Sequence, residues 1–439
     1  VIPLDRLDAL VVALWEQKIK DSKASAMQLM RKLFREQGLR PKQQKRVKSL
    51  FHQWLSTEAL VEYALENSAP GGIIGVLAGP VRLLVSRVLA GDLSPKEARK
   101  KIPWMAWDVV VGIPQEVQKI PDLPRRLELL GSISPWLARR LSEVFGEEAQ
   151  PCLEGLLGKA PVTIRSNPLW GTREDLQVSL EEEDILTRQC SYAPYGLVLE
   201  KPAQLLRSRA FREGAFELQD EASQLVASLV FPPLGGLVLD ACAGAGGKAL
   251  ALGGMVGKNG RVVALDTSAS RLSDLRRRAR RARADHIEGF RVPQERWPPR
   301  IIEIARKADR ILVDAPCSGL GSLRRNPDLR GRIHENEVRR VRAIQLRLLE
   351  RAAQILAPGA LLVYATCTFL PEENQEIVDE ICQRVPGLER VPVAEIFARI
   401  LEESGPLPFT TEEGMFFQSF PHRHGMDGFF GAVLRKRRS

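Results

Sequence analysis

GLVLDACAGAGGKAL, residues 236–250, joins a short apolar run to an acid, a glycine-rich turn and the opening of a helical pattern. The glycines give a tight turn and let the backbone approach a ligand closely. A phosphate-binding P-loop is excluded. Ala249 follows Lys248 where Ser or Thr is required, and Cys242 stands where the first glycine should be. A dinucleotide site remains open, since Gly244, Gly246 and Ala249 fit G-x-G-x-x-A and Asp266 follows at the spacing of a ribose-binding acid. S-adenosylmethionine makes the same demands, because its ribose diol also suits a carboxylate at the end of a second strand. The loop alone does not separate the two.

Outward from this loop, RVVALD (261–266), RILVD (310–314) and ALLVYAT (360–366) are further apolar runs, with HIEGFRV (286–292) as a third strand in chain order. Helix-length segments separate them, including the stripe Val338, Val341, Ile344, Leu348, Ala352, Ile355. Apolar strands alternating with amphipathic helices predict a parallel α/β sheet covered on both faces from about residue 213. Ligands in such sheets bind at the carboxyl ends of the strands. That rule places Asp240, Asp266, Asp314, Cys317 and Cys367 along one rim.

A chain of 439 residues is expected to hold two or three domains. The first 125 or so read as a helical bundle, with stripes at Leu7, Leu10, Val11 and Leu14, at Ala26, Leu29, Met30, Leu33 and Phe34, and at Val47, Leu50, Phe51, Trp54 and Leu55. REQGLRPKQQKRVK, residues 35–48, carries six basic residues; such runs are usually solvated faces, and phosphate binding is the sharper reading. GIPQEVQKIPDLP (112–124) reads as a linker. Residues 126–212 alternate a helical pattern (SPWLARRLSEVFGEEA) with strand-like pieces (VTIRSN, GLVLE) and read as a small α+β domain.

Lys plus Arg exceed Asp plus Glu by ten, 64 against 54, which favours a polyanionic partner, nucleic acid before membrane. The N-terminal residues mix Asp and Arg into their apolar positions, unlike a signal peptide. The apolar region 71–90 is interrupted by Pro80, Arg82 and Arg87 and is too short to span a bilayer. A cytoplasmic, monomeric protein is expected. Six cysteines are scattered without a Cys-x-x-Cys or ligand-spaced histidines, so neither a metal site nor a disulfide framework is expected.

Two cysteines stand out, in DAPCSG (314–319) and YATCT (364–368), each ending an apolar run. Hydride transfer needs no thiol. Methylation of carbon 5 of cytosine does, because that carbon is a poor nucleophile until a thiolate adds to carbon 6 and turns the ring into an enamine. A carboxyl such as Asp314 suits ring nitrogen 3. Cys152, Cys190 and Cys382 read as packing residues.

Residues 213–439 closely resemble the bacterial RNA cytosine-5 methyltransferases. The likeness rests on GAFELQDEASQLV (214–226), CAGAGGK, DAPCSGLGSLRRNPDLR (314–330), YATCTFLPEEN (364–374) and DGFFGAVLRK (427–436). TIRSNPLWGTREDL (163–176) resembles the small RNA-binding domain that precedes the catalytic domain in that family. The preceding helices resemble, by layout, the NusB-like domain of the Fmu/Sun branch, the ribosomal RNA small subunit methyltransferase B type. The resemblance implies three domains: a NusB-like all-α RNA-binding domain (1–125), an α+β RNA-binding domain (126–212) and a Rossmann-like methyltransferase domain (213–439).

By the same resemblance Cys367 is the nucleophile and Cys317 assists product release, with Asp314 near base and cofactor and Lys248 near the reaction centre. Cys242, Ala243, Gly244, Ala245, Gly246, Gly247 and Lys248 would line S-adenosylmethionine, together with Asp266 on the ribose diol, Arg271, Asp314 and Gln294. The family usually has a proline before the glycine pair, Thr or Ser after the lysine, and an acid after the third strand; here these are Ala245, Ala249 and the Pro293–Gln294 pair. Arg324, Arg325, Arg330 and Arg332 lie in a long strand-to-helix connection suited to gripping RNA. The helix RLSDLRRRARRAR (271–283) adds seven arginines to a basic surface. The expected substrate is small-subunit (16S) ribosomal RNA. The alternatives are the same chemistry on transfer RNA, a non-catalytic RNA-binding or assembly protein, and a nicotinamide-dependent oxidoreductase.

Overall fold

The computed structural model describes the chain apart from residues 1, 3, 22–24, 69–77, 294–295, 402–406, 412 and 438–439. It divides into two compact units: residues 1–158 with 323–335, and residues 159–322 with 336–439.

The first unit is helical. Its early helices, Arg6–Lys20, Ala26–Glu36 and Pro41–Ser68, bury the stripes read from the sequence in one core of Val11, Leu14, Met30, Leu33, Val47, Leu50, Phe51 and Trp54. Trp15 stacks on Trp54 with ring centroids 4.8 Å apart. Ser25 starts the second helix, accepting the Gln28 N–H at 3.1 Å while the Gln28 side chain accepts the Ser25 N–H at 3.3 Å.

The stretch 112–124 is not a linker. It ends the helix Trp107–Gln118 and begins the helix Leu123–Gly131. Pro114 sits inside the first, at a cost of about 3 kcal/mol. Val110, Ile113 and Val117 are fully buried at helical spacing and contribute roughly 1.5–3 kcal/mol each, so burial wins. Pro124 falls in the first turn of the next helix, where its missing N–H costs nothing.

The second unit holds two sheets. Strands β1 (Thr163–Ser166), β2 (Thr187–Gln189), β3 (Gly196–Leu199) and β4 (Phe216–Leu218) form an antiparallel sheet in the order β2-β3-β1-β4. Its core is Ile164, Leu176, Leu180, Leu197 and Phe216. The large sheet contains β5 (Leu237–Asp240), β6 (Arg261–Asp266), β7 (Ile287–Arg291), β8 (Arg310–Asp314), β9 (Leu361–Thr366), β10 (Leu388–Val391), β11 (Thr410–Thr411), β12 (Phe416–Ser419) and β13 (Phe429–Lys436). The order is β11-β12-β13-β9-β8-β5-β6-β7, with β10 also on β13.

Strands β5 to β9 are parallel, as their unbroken apolar runs predict. The sheet does not stop there. Strand β13 runs antiparallel beside β9, pairing Phe430 with Thr366 and Arg435 with Leu361, and β10 and β12 add to its other edge. Sequence reading took residues 427–436 only as a motif and missed this extension.

The motif's glycine has a packing reason. The Gly428 N–H donates to the Gly321 carbonyl at 2.9 Å, and the Gly321 N–H donates to the Cys367 carbonyl at 2.9 Å. A Cβ at Gly321 would stand 1.9 Å from the Gly428 carbonyl oxygen, backbone against backbone. Gly321→Ala should therefore destabilise the fold by at least about 1–3 kcal/mol, read as a lower urea midpoint at unchanged slope. An unchanged midpoint would mean that this loop yields freely.

Candidate active site

Aspartates end three adjacent parallel strands: Asp240 on β5, Asp266 on β6 and Asp314 on β8. Because β5 pairs with β6 on one side and β8 on the other, a crevice opens where the strand order reverses. A cleft of about 440 Å³ lies there, lined by Ala241, Cys242, Asp266, Thr267, Arg271, Val292, Pro293, Trp297, Asp314 and Cys317 among others.

The glycine loop wraps one edge of this cleft. Gly244 (φ 57°) and Gly246 (φ 90°) adopt left-handed backbone, and a Cβ at Gly246 would meet Leu275 Cδ1 at 2.2 Å. Asp266 ties the loop down: its Oδ2 accepts the Gly244 N–H at 3.0 Å and its Oδ1 the Ser268 N–H at 2.7 Å. The Ala243 N–H donates to the Leu265 carbonyl at 2.8 Å. Arg271 is largely exposed, 3.7 Å from Asp266 Oδ2.

Arginines brace the loop from outside. Arg278 donates to the Ala245 carbonyl at 2.6 Å, and the buried Arg165 donates to the Gly247 carbonyl at 2.9 Å. Glu217 anchors Arg278 through hydrogen bonds of 3.0 and 3.2 Å and also pairs with Arg281. Burial pulls the Arg165 guanidinium down to about 10, with Glu217 opposing. Two arginines of the basic helix are thus structural rather than part of a solvated surface.

Lys248 lies under the loop, its Nζ 2.7 Å from Asp314 Oδ2 and 4.9 Å from the centroid of the Phe429 ring. Asp240 is fully buried. Its Oδ1 accepts the Cys242 N–H at 3.3 Å, and its Oδ2 has no partner among the described residues. Burial, then the Asp314 charge, pushes the Asp240 carboxyl up to about 7. Burial and the three aspartates push the Cys242 thiol well above its ordinary range, which makes it an unreactive wall.

The two singled-out cysteines meet, although 50 positions apart in sequence. Cys317 Sγ lies 3.3 Å from Cys367 Sγ and also accepts the Cys367 N–H at 3.3 Å. Contact with Cys367, and then burial, pushes the Cys317 thiol well up. Of the other cysteines, Cys152 and Cys190 are buried and Cys382 packs at the edge of a core.

Gln294 lies outside the described residues. Segment 323–335, which carries Arg324, Arg325, Arg330 and Arg332, belongs to the helical unit. There Arg330 is only 5% exposed, and burial pulls its guanidinium down to about 10. Arg332 lies 3.6 Å from Asp328. No group of metal-binding side chains occurs among the described residues, and none of their helices is long and apolar enough to cross a membrane.

The sequence model of the family described as 16S rRNA methyltransferase RsmB/F matches residues 229–435, and that of the RsmF/B-like ferredoxin-like domain matches residues 134–205. Ribosomal RNA small subunit methyltransferase B of Vibrio cholerae is 33% identical over 305 residues, covering 69% of this chain and 65% of that protein. The probable ribosomal RNA small subunit methyltransferase B of Bacillus subtilis is 31% identical over 336 residues, covering 74% of this chain and 71% of that protein. The chain therefore spans about two thirds of the length of these relatives. A solved structure titled PH0851 shares the fold, with a TM-score of 0.75 over 99% of each chain at 24% identity.

Two measurements check this geometry. Ionising Asp240 costs the folded state more than the unfolded one, so stability falls as pH rises from the ordinary carboxylate range through about 7. Asp240→Asn should remove that fall, its stability advantage by denaturant unfolding growing with pH and reaching at most about 4 kcal/mol near pH 8; a constant difference would place the titration elsewhere. Glu217→Gln strips Arg278 and Arg281 of their acid and should cost about 3–5 kcal/mol by denaturant unfolding. A loss below 1 kcal/mol would mean the arginines brace the loop unaided.

Proposed function

The chain belongs to the RsmB/F family of 16S rRNA methyltransferases, and we propose that it methylates carbon 5 of a cytosine in small-subunit ribosomal RNA through a covalent bond to Cys367. The observation that carries this reading is the 3.3 Å contact between Cys317 and Cys367, one of them lining the same cleft as Asp314. A hydride-transfer site has no use for such a pair. A base is extruded from its stack to reach a site of this kind, so the target cytosine is taken from a loop or an unpaired strand.

The cofactor is S-adenosylmethionine, which supplies an electrophilic methyl group on a sulfonium. The cleft fits it. Val292 and Trp297 offer an apolar wall to an adenine. Both Asp266 oxygens accept backbone N–H groups, yet each carboxylate oxygen has a second lone pair for a ribose hydroxyl. The loop lacks the family's proline; Arg165 and Arg278 hold its carbonyls instead.

Cys367 adds to carbon 6 of the cytosine, and the displaced ring electrons make carbon 5 the nucleophile. The Lys248–Asp314 ion pair offers a donor and an acceptor side by side, matching ring nitrogen 3 and the exocyclic amine. Carbon 5 takes the methyl group that the bound cofactor would supply, and Cys317 assists removal of the proton from carbon 5; the electrons of that carbon–hydrogen bond restore the ring double bond and expel Cys367 as a thiolate.

Cys317→Ala should form the adduct and transfer the methyl group yet fail to release, leaving a protein–RNA complex that survives denaturing electrophoresis. Cys367→Ala should show neither adduct nor turnover while binding the cofactor normally by calorimetry. Adduct in Cys367→Ala alone would exchange the two roles. Trapping on transfer RNA but not on 16S RNA would change the substrate, and no adduct with an inactive wild type would leave an RNA-binding protein.

A further inference from the structure

The turn that follows the second cysteine holds a carboxylate with no place in the reaction just described. Glu373 is fully buried in the short turn Pro371–Glu373 after β9. Its Oε2 accepts the Ser318 N–H at 2.8 Å and the Gln345 amide at 3.0 Å, and its Oε1 accepts the Ser318 hydroxyl at 2.5 Å. Ser318 follows Cys317 and Thr368 follows Cys367, and their hydroxyls lie 2.9 Å apart.

The grip is completed around both thiols. Gln345 donates to the Pro316 carbonyl at 2.9 Å, on the near side of Cys317. Asn374 accepts the Thr366 hydroxyl at 2.6 Å and donates to the Thr368 carbonyl at 3.0 Å, on either side of Cys367. The Tyr364 hydroxyl donates to the Glu373 carbonyl at 2.7 Å. A buried carboxylate is costly unless its hydrogen bonds are made; here two of them go to Ser318, whose hydroxyl also meets that of Thr368.

We propose that Glu373 is a positioning residue for the cysteine pair, holding Ser318 and Thr368 so that the two sulfurs stay in contact and take different roles. Its charge also faces Cys317 and adds to the contact with Cys367 and the burial that keep the proton on that thiol. Tyr364 stands nearby from β9, and Arg342 approaches through the Glu372 carbonyl at 3.1 Å. The inference rests on the two-cysteine reading for its meaning in catalysis, but not for its first test.

That test measures alkylation of the two thiols by iodoacetamide, site by site with mass spectrometry, in the full chain without RNA. Glu373→Gln keeps the shape and removes the charge. It should speed alkylation of Cys317 several-fold relative to Cys367, which a purely structural loss would not do. Turnover on RNA should fall by up to about a hundredfold with the KM for S-adenosylmethionine unchanged, and Ser318→Ala should share the fall in turnover. An unchanged alkylation ratio overturns the inference, and so does wild-type turnover in Glu373→Gln. Because the ratio needs no turnover, a failure of the trapping experiment leaves it readable.

Discussion

Parallel pairing of β5 with β8 is the constraint from which the site follows. There strands from opposite halves of the chain's winding lie side by side, with Asp240 and Asp314 at neighbouring strand ends. Two carboxyls at that distance repel, and the fold meets the repulsion unequally. Lys248 pairs with Asp314, while Asp240 is left buried with one oxygen unpartnered among the described residues. The loop after β8 then delivers Cys317, and the neighbouring β9 delivers Cys367.

Much of this was legible in the sequence. The apolar runs 261–266 and 310–314 became strands with those bounds, because a strand covered on both faces needs an unbroken apolar run. The meeting of Cys317 with Cys367 followed from the rule that strand ends share a rim. Other features left no local trace. Arg165 and Glu217 lie far in sequence from the glycine loop they brace, and nothing in TIRSN signals a partner at Gly247. The Pro-rich stretch 112–124 misled because composition was weighed above the spacing of Val110, Ile113 and Val117. Glu373 stood in plain view inside LPEEN, but a glutamate in a charged-looking run reads as solvated until the fold buries it.

The site also distributes its cost. Buried acids, thiols and guanidiniums shift one another in opposite directions, and no single pair carries the balance. Burial raises Asp240 and Glu373, and contact with Cys367 followed by burial raises Cys317, so each retains a proton more readily than in water. Arg165 is drawn the other way by the same burial. A protein that places so many titratable groups out of water gives up stability for a defined arrangement, as functional sites commonly do.

The position of β13 bears on when this arrangement can exist at all. Synthesis delivers Cys317 and Cys367 well before Phe429, yet β13 lies inside the sheet, with β9 on one edge and β10 and β12 on the other. Until residues 429–436 emerge, β9 has an open flank, and the backbone relay from Gly428 through Gly321 to Cys367 is unmade. The nascent polypeptide thus carries its thiols past the ribosome, itself made of the RNA proposed as substrate, before the strand that completes their setting has been translated.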